Sequence, residues 1–192
     1  MSTIDRFLKI EDLFLLSERR SLAEKPEMDP LTEDDALMES QLIDLRYDPV
    51  TSTTGLLFDL RQAIQLRLAN TGVVIVREVE RLAWEQRLHE HEKEAFADET
   101  LDPELAKHRA WNVIASEPRP TDVFNLRLLF VPGAELNVSG ARAEFFMGHV
   151  PGIGDVPATF THASVDEIEA SLPHWNSPFK TLYATFLDGR GR

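Results

Sequence analysis

The sequence predicts an α+β protein: a largely antiparallel, twisted sheet of about six strands with a helical N-terminal extension and a short C-terminal helix. Three observations predict it. Apolar and polar residues alternate through several separate runs, most clearly with Phe124, Leu126, Leu128 and Phe130 on one face against Asn125 and Arg127 on the other. Turn-forming pairs, Asp48-Pro49 and Pro132-Gly133 among them, separate those runs. Helix signals lie on the flanks instead, as apolar spacing near the N-terminus and as Ser164 to Glu167 in the order of a capping box before "VDEIEASL".

Residues 1–40 read as an acidic helical extension. Ile4, Phe7, Leu8, Leu13, Phe14 and Leu16 form an apolar stripe at roughly helical spacing, although Ile10 and Leu15 fall off it. Pro26 and Pro30 bracket a break, after which Thr32 stands as the N-cap of a short helix with acids in its first turn. Residues 41–192 read as one α+β domain. Its first strand is "SQLIDLRYDPV", which alternates and ends at Asp48-Pro49.

The next stretch, "TTGLLFDLRQAIQLRLANTGVVIV", fits two templates. As a helix it aligns Leu56, Leu57, Leu60, Ala63, Ile64, Arg67 and Leu68 but leaves Phe58 and Leu66 exposed. As a strand it gathers Leu56, Phe58, Leu60, Ile64, Leu66 and Leu68 on one face, interrupted only at Gln62 and Ala63. Strands on both sides and the Asn70 to Gly72 turn favour a long bent strand with a bulge near Gln62 or Ala63. "VVIVREVERLAW" follows as a β-branched strand. Residues 85–109 are too charged and too poor in β-branched residues for the sheet, and read as a helical or mobile insertion. "AWNVIASEP", "DVFNLRLLFVPG" and "LNVSGARAEFFMG" complete the sheet, and "TLYATFLDG" reads as a last extended segment.

Charge narrows the partners. Thirty-three acids against twenty bases leave a net charge of −13, which argues against nucleic acid and anionic membranes, since both call for clustered Lys and Arg. The absence of cysteine removes disulfides, thiolate zinc sites and a cysteine nucleophile. The N-terminus interrupts its apolar residues with charges, and no run approaches the ~18 apolar residues of a spanning helix, so a soluble cytoplasmic protein is expected.

No motif carries a specific chemistry. In "HEHEKE", His89 and His91 are two apart and face different sides of a helix, and the His-Glu-x-x-His arrangement is missing. "GIGD" lacks the strand-to-helix setting of a phosphate loop, no Gly-x-Ser-x-Gly elbow occurs, and His149, His162 and His174 are scattered. No catalytic residue, cofactor or metal is therefore assigned. Trp84 and Trp111, inside strands, read as core or near-core. The run from Leu56 to Val76 and the tail "PHWNSPFKTLYATFLDG" are similar to small uncharacterised bacterial proteins of about this length, a resemblance that implies no activity.

Two functional classes follow. The first is a non-catalytic acidic module that binds a basic protein, as an immunity-type inhibitor or adaptor, with Trp175 and the acids Glu90, Glu92 and Glu94 as contacts. The second is a small-ligand binder or enzyme whose site lies on a sheet face bearing Arg46, Arg61, Arg67 and Arg77. Homo-oligomerisation through a sheet edge stays open beside both.

Overall fold

The computed structural model describes residues 8–14, 26, 28–86, 111–131, 133–157 and 163–188. In chain order these form β1 (Leu8–Lys9), a 3-10 turn (Ile10–Phe14), β2 (Gln41–Asp48), β3 (Thr53–Asp59), β4 (Thr71–Gln86), β5 (Trp111–Pro120), β6 (Phe124–Val131), β7 (Ala134–His149), α1 (Val165–Ala170) and β8 (Pro178–Asp188). The molecule is thus nearly all antiparallel sheet, with eight strands and one short α-helix among the described residues. This corrects the α+β expectation and its helical N-terminal extension.

The correction has a physical cause at each place. Leu8 and Lys9 pair with Phe179 and Pro178 of β8. The chain then stays tethered, because Ile10 N–H donates to the Ser177 carbonyl and Glu11 N–H to the Trp175 carbonyl. One 3-10 turn is enough to bury Ile10 and Leu13, so the apolar spacing that suggests a helix is satisfied by a strand and a turn. Further on, Asp29 rather than Thr32 is the capping residue, its carboxylate accepting from Leu31 N–H and its carbonyl from the N–H groups of Thr32 and Glu33. Positive φ angles of 61° at Asp35 and 62° at Glu39 then stop any helix. Two backbone N–H groups of this segment go to β5, Asp35 N–H to the Ser116 carbonyl and Glu39 N–H to the Val113 carbonyl.

The sheet runs β1-β8-β7-β4-β3-β2-β5-β6, and β6 pairs back onto β7. The ladder β7-β4-β3-β2-β5-β6 therefore closes into a barrel, which removes most of its edges. β7 is the branch point, with Ala134 to Gly140 on β6 and Arg142 to His149 on β8. From Gln41, the register through β3 and β4 leads to Gly148 on β7, whereas through β5 it leads to Val131 of β6, whose neighbour Phe130 pairs with Ala134 of β7. That stagger tilts the strands strongly and calls for the two 16-residue strands β4 and β7.

The barrel is filled rather than hollow along its wall. Leu56, Phe58, Val74, Val76, Leu128 and Phe145 belong to the inner cluster. Leu57, Val73 and Ile75, on the opposite face of β3 and β4, join Ile10, Leu13, Phe146 and Phe179 in a second cluster outside the barrel. Burial on both faces explains why β3 and the first half of β4 read as continuous apolar runs.

The stretch over which two templates competed obeys neither. β3 stops at Asp59, and residues 60–70 form a loop closed by Leu60 N–H donating to the Asn70 carbonyl, so no bent strand continues through Gln62 and Ala63. Leu60, Ala63, Leu66 and Ala69 are all buried. Their spacing of three matches neither the 3.6 period of a helix nor the 2 of a strand, and the residues that complete either pattern in the sequence, Ile64 and Leu68, are exposed.

No helix among the described residues is long and apolar enough to cross a membrane. α1 carries a complete capping box, in which Glu167 N–H donates to Ser164 Oγ and the Ser164 N–H and hydroxyl both donate to the Glu167 carboxylate. Those donors hold the Glu167 carboxyl below its ordinary 4.5, the backbone N–H first and the hydroxyl second. A carboxyl lowered in this way stabilises the fold above its unfolded value, and the contribution disappears as pH falls through the lower folded value. Ser164→Ala is expected to raise the Glu167 midpoint toward 4.5 in an NMR pH titration, and an unchanged midpoint contradicts this assignment.

Candidate functional site

Trp175 sits in a tight turn in which Ser177 N–H donates to the His174 carbonyl and His174 N–H to Ser177 Oγ. Its ring meets Phe14 edge-on, with centroids 5.2 Å apart at 74°. Both rings rest on Gly55 of β3, where an added Cβ would collide with them. The indole N–H donates to Asp44 Oδ2 at 2.7 Å. Trp175 is therefore half-buried and fixed, with the rest of its surface turned to a cleft.

That cleft, of about 470 Å³, is floored by Ile43 and Leu57 and edged by Glu11, Asp44, Glu169 and His174. The 3-10 turn, β2 and α1 each supply one carboxylate. Glu11 also lies 3.4 Å from Lys9 Nζ and 3.8 Å from Arg46 Nη1, and the His174 ring reaches the Glu169 carbonyl at 2.9 Å. Three carboxylates beside a fixed indole suit a cationic side chain, whose charge meets the acids while its apolar stem lies on the ring.

Gly55→Ala is expected to push Phe14 and Trp175 apart and lower stability by about 1–3 kcal/mol. Denaturation and the indole emission maximum read the two effects. Unchanged emission would mean that Trp175 does not rest there.

The other residues named from sequence are dispersed. Glu90, Glu92 and Glu94, like His89, His91 and His162, lie outside the described residues. Arg46 is exposed, with its guanidinium carbon 5.6 Å from the centroid of the Phe14 ring. Arg77 grips Glu144 through Nε and Nη2 and donates to the carbonyls of Leu13 and Phe14, which fastens the 3-10 turn to β4. Arg61 and Asp59 form an ion pair at 2.6 Å with both side chains 1% exposed. Arg67, at the barrel's end, donates Nε–H to the Ile64 carbonyl. The four arginines therefore do not share one open face. Trp111 is half-buried, while Trp84 is 39% exposed at the barrel mouth, edge-on to Trp111 at 5.1 Å and beside Phe130.

Glu11, Asp44 and Glu169 carried no signal in the sequence, because three carboxylates so far apart in the chain meet only through strand pairing. Among the described residues no group of three or more His, Asp and Glu is placed to hold a metal ion. The fold defines an antiparallel barrel with an acid-edged cleft on its outside. No protein-family model, curated protein or solved structure matches the chain.

Proposed function

We propose that this protein is a non-catalytic, cytoplasmic binding module for a basic protein, of the inhibitor or adaptor kind, and that the Trp175 cleft receives a lysine or arginine of that partner. The observation that carries the reading is the meeting of Glu11, Asp44 and Glu169 around one fixed indole. The net charge of −13 supports it, since a strongly acidic surface speeds encounter with a basic one. The indole is held in place before binding, so little ordering is lost when a partner arrives.

A tetra-arginine peptide is a suitable first probe. It is expected to shift the Trp175 indole N–H resonance saturably at low salt, and to do so much less at about 0.5 M salt, where screening is strong. A Trp175 signal that ignores the peptide at low salt would overturn the assignment of this cleft.

A further inference from the structure

The loop at residues 60–70 builds a second cleft, of about 490 Å³, at the end of the barrel where β3 stops, β4 starts and β7 reaches His149. Its lining includes Arg67, Gln62, His149 and Asp155 over an apolar floor of Leu60 and Ala63. Among the described residues, the Arg67 terminal nitrogens, the His149 ring and the Asp155 carboxylate have no partner. Gln62 accepts from Gln41 through Oε1, which leaves its amide N–H₂ available.

The walls of this cleft are fixed from behind. Asn70 accepts from Val150 N–H and donates to the Val150 carbonyl, which holds the residue next to His149. Arg61, locked on Asp59, donates to the carbonyls of Ile153 and Val156 and so grips both sides of Asp155. It also donates to the Ser171 carbonyl at the end of α1. A fully buried ion pair is a poor source of net stability, because desolvation offsets its attraction. Here its hydrogen bonds hold a loop in one shape, as the support of a binding site must.

We infer that this cleft binds a small amino or hydroxy carboxylate. The carboxylate meets the two Arg67 terminal nitrogens in a bidentate pair, and the amine or hydroxyl donates to Asp155. A simple anion satisfies Arg67 alone and leaves Asp155 unused. The inference stands apart from the Trp175 cleft, since the two share no lining residue.

The test is an NMR titration of the full chain with L-serine, L-lactate and acetate, following the His149 ring. L-serine or L-lactate is expected to shift it saturably in the millimolar range, with acetate at least tenfold weaker. Arg67→Gln should weaken the response at least tenfold. Asp155→Asn should bring L-serine and L-lactate down to the level of acetate. Both side chains are at the surface, and an unchanged amide spectrum elsewhere verifies the fold. Three results would overturn the inference: no saturable shift with either ligand, acetate binding as well as they do, or the same response in Arg67→Gln.

Discussion

An Arg61→Leu variant is expected to unfold about 3–5 kcal/mol more easily than the parent chain in urea. The substitution leaves the Asp59 carboxylate, 1% exposed, buried without its counter-charge. It also strips donors from the carbonyls of Ile153, Val156 and Ser171. The double variant Asp59→Leu with Arg61→Leu separates the two effects, because an apolar pair relieves the buried charge but restores none of the loop's hydrogen bonds. It should recover part of the loss, with residues 150–157 exchanging their amide hydrogens faster than in the parent. A single variant as stable as the parent would show that the pair is not buried as described.

The second large effect is expected at Gly148, where β7 shifts register against β8. A Cβ there would run into the Lys180 carbonyl and the Phe179 ring. The carbonyl is backbone and cannot swing aside as a side-chain tip can. Gly148→Ala should therefore lower stability by about 3 kcal/mol, the upper end of overpacking, and loosen β8 first in hydrogen exchange. Gly152→Ala is the matched control. It has φ at +87° but open space around its Cβ position, so it should lose only the backbone term of about 1–2 kcal/mol. Equal losses at the two sites would refute the steric argument.

The strands from β2 onward were readable wherever alternation survives, as in β6 with Phe124, Leu126, Leu128 and Phe130 inward. Three features were not, each for its own reason. Barrel closure depends on β6 returning to β7 and on the brief contact of Gln41 and Leu42 with β5, which no local pattern encodes. The N-terminal residues have helical spacing but give their backbone bonds to distant strands, so tertiary pairing overrides propensity there. The loop at residues 60–70 buries every third residue, while its exposed Ile64 and Leu68 complete the regular patterns in the sequence.

The clefts were legible only in single members. Trp175 and Arg67 stood out in the sequence, while Glu11, Asp44, Glu169 and Asp155 looked like any other surface acid. The loop that matches neither template is also the one that builds the second cleft.

The most direct test of a basic partner at the Trp175 cleft is affinity capture from the source organism's lysate. The parent chain and a Glu11→Gln, Glu169→Gln variant are compared at low and high salt. The account predicts one basic protein retained by the parent at low salt, weakened at high salt and largely lost from the variant. Retention of the same proteins by both chains at both salts, or capture of none, would contradict it.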